Sequence, residues 1–168
     1  MRNVSRKWVL GLALAAAIGG APASANIGGG GVPGAVPSAE DAPSAGVAAD
    51  MAEGYQAIEA GEYETAIEFF IRIAQEDPTN AEALNQLGYI NRRLQKFPQA
   101  FAFYRRALEL DPQHTGAHHY IGEAYLEVGE LERAEEHLRQ LDLICLFGCD
   151  DYFELQQAVE LYKANHTG

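Results

Sequence analysis

Residues 81–114 read AEALNQLGYINRRLQKFPQAFAFYRRALELDPQH, and the 34 residues before them, 47–80, read VAADMAEGYQAIEAGEYETAIEFFIRIAQEDPTN. Laid over one another, Gly88 falls on Gly54, Phe97 on Tyr63, Ala100 on Ala66 and Tyr104 on Phe70. Asp111-Pro112 falls on Asp77-Pro78, and His114 on Asn80. A third copy begins at Thr115 and keeps Gly122, Tyr125, Gly129, Leu131, Ala134 and Leu138 on the same phases. Self-similarity at a fixed period of this length means one supersecondary unit stacked on copies of itself.

Each recurring residue has a physical task. Within a copy the apolar residues return at steps of three and four, as in Leu84, Leu87 and Ile90 or Phe101, Tyr104 and Leu108, which predicts amphipathic helices. The small residues Gly54, Gly88 and Gly122, with Ala66, Ala100 and Ala134, let two helices of a hairpin approach closely. Phe70, Tyr104 and Leu138 are expected to fill the space beside them. Gly61, Gly129 and the Gln95-Lys96 segment mark the turns inside the hairpins. Pro98 is tolerated in a first helical turn, where its missing N–H has no partner to lose. Pro78 and Pro112 end the second helix of their copies, and Asn80 and Thr115 are placed to cap the helices that follow.

Period and motif positions together resemble the tetratricopeptide repeat (TPR) family, over residues 47–148 and most closely in the second copy. The resemblance implies an all-α fold: a short right-handed solenoid of three TPR helical hairpins and a C-terminal capping helix, from an exported bacterial TPR protein. The domains are then residues 47–80, 81–114 and 115–148 for the three repeats and 149–168 for the closing helix and tail. It also implies a concave face that holds extended or helical peptides. Carried over by phase, that face is Met51, Tyr55, Ile58 and Glu59 from the first repeat. The second gives Glu82, Asn85, Tyr89, Arg92 and Arg93, and the third His119, Glu123, Leu126 and Glu127. The Lys/Asn/Arg clamp by which one branch of the family grips a C-terminal carboxylate is absent, since its positions here hold Met51, Tyr55, Gln86, Gly116 and Tyr120. Arg92 and Arg93 remain candidates to attract one acidic group, or form a solvated face flanking Tyr89.

The third copy ends differently. In place of Asp-Pro it has Ile144-Cys145-Leu146-Phe147-Gly148-Cys149, and Asp151 with Glu154 has the spacing of a capping box that opens a last amphipathic helix. Cys145 and Cys149 are the only cysteines in the chain. In an exported protein such a pair reads first as a disulfide, made at a bend that Gly148 allows and fixing the angle of the closing helix. Packed thiols, or a redox or metal role, are the alternatives. The spacing is neither the redox C-x-x-C nor a haem-attachment motif.

Outward toward the N-terminus the composition changes twice. Residues 26–46 are Gly, Pro, Ala and Ser with few large apolar side chains, the signature of a flexible linker. Residues 1–25 carry Arg2, Arg6 and Lys7, an apolar run from Trp8 to Ile18, and Ala23-Ser24-Ala25. That order describes a secretory signal peptide, cleaved after Ala25, with a run short for a membrane span; retention as an anchor is the alternative. The expected location is periplasmic or secreted, without stable membrane insertion after cleavage. The leader removes three basic residues, leaving nine Lys+Arg against 24 Asp+Glu, a formal charge of −15. Such a surface repels nucleic acid and favours solubility or a basic partner.

No residue pattern resembles a catalytic set, so no enzymatic activity and no cofactor is expected. His114, His118, His119 and His137 invite comparison with metal ligands, but His114 lies in a turn and His118 and His137 fall on packing phases, so no metal site is expected. The reading is an exported scaffold or adaptor for a protein or peptide partner. A thiol-redox or metal-handling role for Cys145 and Cys149 is the alternative. The open edge at Ala48–Ile58 leaves self-association possible.

Overall fold

The computed structural model describes residues 44–166. The leader and all but the last three residues of the linker lie outside them. Among the described residues there are seven helices and no strand: α1 (Ala45–Ala60), α2 (Tyr63–Glu76), α3 (Ala81–Arg93), α4 (Phe97–Leu110), α5 (Thr115–Glu127), α6 (Leu131–Ile144) and α7 (Asp150–His166). They form three antiparallel hairpins and a closing helix, each packed on its predecessor, as an all-α repeat solenoid. None of these helices is long and apolar enough to cross a membrane.

The buried stripe of each helix follows the helical period. α2 buries Ala66, Phe70 and Ile73, and α4 buries Ala100, Tyr104 and Ala107, all at zero exposure. The three hairpin corners repeat to the residue. Gly61, Gln95 and Gly129 adopt positive φ of 75°, 58° and 84°. The next amide, of Glu62, Lys96 and Glu130, donates back to the carbonyl of Ala57, Asn91 and Tyr125 at 2.8 Å. This left-handed corner collects orphan carbonyls at the helix end, and it costs a residue with a Cβ more than glycine.

Among the described residues the core forms two clusters. One runs from Val47 through Phe70 and Ile73 to Leu87 and Ile90. The other joins Tyr104, Ile121, Tyr125 and Leu141 to Leu155 and Val159 of α7. Close approach holds them together. A Cβ on Gly54 would stand 2.8 Å from the Phe70 ring, and one on Gly88 2.5 Å from the Tyr104 ring. On Gly122 the neighbour is Leu155 of α7, 2.6 Å away, and not Leu138 of the same repeat. Leu138 is only half-buried at the side of the cluster.

Three local expectations are corrected. His114, not Thr115, caps α5, its Nδ1 accepting from the Ala117 amide at 3.2 Å as Asn80 does for Ala83 at 2.9 Å. Asp151 and Glu154 do not form a capping box: α7 starts at Asp150, the Phe153 amide donates to the Cys149 carbonyl, and both carboxylates turn toward His119. α1 begins at Ala45, inside the stretch read as linker, because Ser44 Oγ accepts from the Val47 amide. Cys145 and Cys149 are joined by a disulfide across a Cα separation of 5.6 Å, at the corner between α6 and α7. Gly148, φ 84°, makes that corner, and the Phe153 ring lies against it.

Candidate functional site

α1, α3, α5 and α7 form the inner row of the solenoid, and their facing side chains build one continuous polar and aromatic network. Glu82 is its first hub. Its carboxylate accepts from the Tyr55 hydroxyl and Gln86 Nε2, both at 2.5 Å, and stands 2.9 Å from His114 Nε2. Burial works to raise the pKa of Glu82, but the hydrogen bonds from His114, Tyr55 and Gln86 outweigh it and hold the group ionised below its ordinary range. The same hydrogen bond raises the pKa of His114. Tyr55 is pushed up by burial and then by its bond to Glu82, so it stays a neutral donor.

The second hub is Arg92. It is only 9% exposed, bonded to Glu123 at 2.8 Å and Glu127 at 2.6 Å across from α3 to α5. The rings of Tyr89 and Tyr120 each lie 5.7 Å from its guanidinium and 5.0 Å from one another. An arginine set in aromatic faces and two carboxylates is a fixed strut, since breaking one side leaves an uncompensated buried charge.

His119 is the third. It is 3% exposed, its Nδ1 lies 3.1 Å from Asp151, and its Nε2 lies 3.6 Å from both Glu123 and Glu154. Burial alone would lower its pKa; the Asp151 and Glu123 carboxylates outweigh burial and raise it to about 9, so the ring is an imidazolium at neutral pH. His118 and His137 behave oppositely on the outer side. Their Nδ1 atoms face each other at 2.9 Å and His118 Nε2 meets the Pro112 carbonyl at 3.1 Å. Burial lowers both, His137 to about 4, with the His118 charge a further cause for His137.

The residues expected on the inner face therefore divide. Tyr55, Tyr89, Arg93, Glu59, Glu82, Glu123 and Glu127 reach it with some or most of their surface open. Met51 lines a hollow at the first-repeat end with Val47, Ala48 and Tyr55. Ile58 packs against the first core cluster. Asn85, Arg92, His119 and Leu126 are buried. Arg92 is thus not free to attract an acidic group, because Glu123 and Glu127 take its guanidinium. Arg93 is exposed, 6.0 Å above the Tyr89 ring. Sequence phase missed Tyr120, His114 and the α7 residues Asp151, Glu154, Gln157 and Leu161. Tyr120 carried a signal, since it falls on Gln86 in the repeat. The α7 residues carried none, being outside the period.

Between α5 and α7 lies a groove of ≈ 820 Å³, lined by Glu123, Glu154, Gln157, Ala158, Glu160 and Leu161. It runs on past Leu126, Glu127 and Tyr162. Among the described residues no group of three or more His, Cys, Asp or Glu is placed to hold a metal ion.

Comparison with known proteins agrees with this architecture. The family model described as anaphase-promoting complex, cyclosome, subunit 3 matches residues 59–141. A search of curated proteins finds no match. Among solved structures, the chain is similar to the first TPR of Spaghetti (RPAP3), solved with the HSP90 peptide SRMEEVD, at 20% identity and a TM-score of 0.65, covering 75% of this chain and 97% of that one. The TPR2B domain of yeast Sti1, in a complex with pHsp70, matches at 19% identity and TM-score 0.65, over 73% of this chain and 100% of that one. The Yersinia enterocolitica type III secretion translocator chaperone SycD matches at 17% identity and TM-score 0.66, over 77% and 91%. At these identities the likeness establishes the fold.

Proposed function

We propose, from the premise that this chain is a tetratricopeptide-repeat protein, that it is an exported, non-catalytic adaptor holding a segment of another protein on its inner face. The observation that carries the reading is the division of that face. Arg92, His119 and Asn85 are buried beneath the surface, while Tyr55, Tyr89, Arg93 and Glu123 stand on it. A rigid framework carrying half-open aromatic and charged side chains is suited to peptide recognition by anchors within a polar rim. The Spaghetti domain bound to its HSP90 peptide gives the fold a precedent for such use.

A double variant, Tyr89→Ala with Arg93→Glu, tests this. Crosslinking in envelope extract followed by identification is expected to recover a partner with the wild type and lose it with the variant, both melting at similar temperatures. Equal recovery overturns the assignment of the face. Export is supported by the leader pattern and by a disulfide at the α6–α7 corner, which persists in oxidising compartments. Fractionation and N-terminal sequencing should find a processed chain starting at Asn26; a cytoplasmic, full-length chain removes this part of the reading.

A further inference from the structure

We infer that the groove between α5 and α7 takes a Lys- or Arg-bearing amphipathic segment of the partner, its cations between Glu123, Glu154 and Glu160 and its apolar side chains on Ala158 and Leu161. The inference rests on the inner-face reading above and names the chemistry of what that face holds. Charge is the first argument. Glu123, Glu127, Glu154 and Glu160 line the groove, and no Lys or Arg does. Arg92 and His119 reach these carboxylates from outside the groove, and His119 is shared with Asp151. A lining with four carboxylates and no Lys or Arg is negative, so an acidic segment meets repulsion there and a basic one is drawn in.

A second observation points to the same place. His119 is 3% exposed, yet its Nε2 has no hydrogen-bond partner within reach and points between two of the groove carboxylates, each 3.6 Å away. Ion pairs at that distance hold the charge but leave the N–H without a hydrogen bond, which a ligand acceptor can supply. Glu154 is 64% exposed at its side chain and free to turn outward toward an arriving cation, which opens this donor to the main-chain carbonyl beside it. A peptide supplies both groups at once; a free amine supplies only one. The floor completes the match, since Leu161 is 62% exposed over Ala158 and has nothing to cover it in the isolated chain.

Phage-displayed random 12-residue peptides selected on the full protein test this, with hits made as labelled peptides for fluorescence anisotropy. Hits enriched in Lys and Arg are expected, with binding about tenfold weaker to Glu154→Gln/Glu160→Gln. The convex control Glu64→Gln/Glu68→Gln removes the same charge and should leave affinity unchanged. Equal loss in both variants means general attraction to an acidic protein and overturns the inference. Hits without basic bias that are lost in Tyr89→Ala overturn it too, but leave the inner-face reading standing. Hits insensitive to every inner-face substitution overturn both. A homodimer in light scattering that Leu161→Glu dissociates assigns the groove to a second copy and also ends the proposal.

Discussion

The second and third repeats carry the same glycine and cover it in different ways. Over Gly88 stands Tyr104, from the helix that closes the same hairpin; over Gly122 stands Leu155, from α7 outside the repeat. The first repeat follows the second, with Phe70 over Gly54. A hairpin of the first kind brings its own lid and is complete when its two helices meet. The third hairpin has only the half-buried Leu138 at that phase and borrows its lid, so its core closes only when α7 docks. The corner that delivers α7, bridged by Cys145 and Cys149, belongs to the same device.

The second and third repeats differ most when their lids are removed. Tyr104→Ala should destabilise the whole domain by about 4 kcal/mol and Leu155→Ala by about 3 kcal/mol, the range for emptying a fully buried site. Denaturant unfolding measures both. Hydrogen exchange separates them: the Tyr104 variant lowers protection in α3 to α6 together, and the Leu155 variant releases α7 first while α1 to α3 keep theirs. Uniform loss in both cases would make the third repeat as self-contained as the second.

Next in size is the corner. Cys145→Ser/Cys149→Ser should cost about 2 kcal/mol by the loop-entropy relation for so short a ring. The effect should again fall on α7 and spare α1 to α3. Adding the Leu155→Ala change should give less than the sum, since both act on one docking event.

Acidity separates the two sides of the third repeat. His118 and His137 have lowered pKa values, so the unfolded chain binds more protons; their contribution is complete above the ordinary 6.5 and is lost as pH falls toward about 4. His114 and His119 have raised values, so their contribution is complete below 6.5 and is lost as pH rises through about 9 for His119. Stability should therefore peak between these limits. His137→Phe should flatten the acid limb and His119→Gln the alkaline limb, as read from melting temperature against pH.

The smallest effect concerns the corners. Gln95 is the one described non-glycine residue at positive φ, at the place where the other two repeats have Gly61 and Gly129. Gln95→Gly should raise stability by about 0.5 kcal/mol. No gain in a thermal melt would mean that contacts of the Gln95 side chain already offset the strain.

What the sequence made legible follows the same division. Gly88 and Tyr104 lie inside one period, so superposing copies exposes both, and the helices, corners and stacking order come with them. Leu155 lies beyond the last copy, and no superposition pairs it with Gly122. The inner face shows a second limit. Phase places Arg92 and His119 on it correctly but is blind to what stands opposite; Glu127, from another helix, makes Arg92 a strut, and Asp151 of α7 takes one side of the His119 ring. Asp151 and Glu154 were ambiguous for the same reason. Two carboxylates three apart cap a helix or reach outward, and only the His119 ring across the interface decides which.

The bridged corner has a consequence for the covalent chain. Phe147 is 99% exposed and sits between the two bonded cysteines, with Leu146, 79% exposed, beside it. A protease that cuts after large apolar side chains meets its best substrate there, inside a ring. The nick would sever the peptide bond and leave both fragments tethered through sulfur, so the protein would run as one species until a reductant split it in two. The loop that holds α7 in place is also a clasp that survives its own cutting.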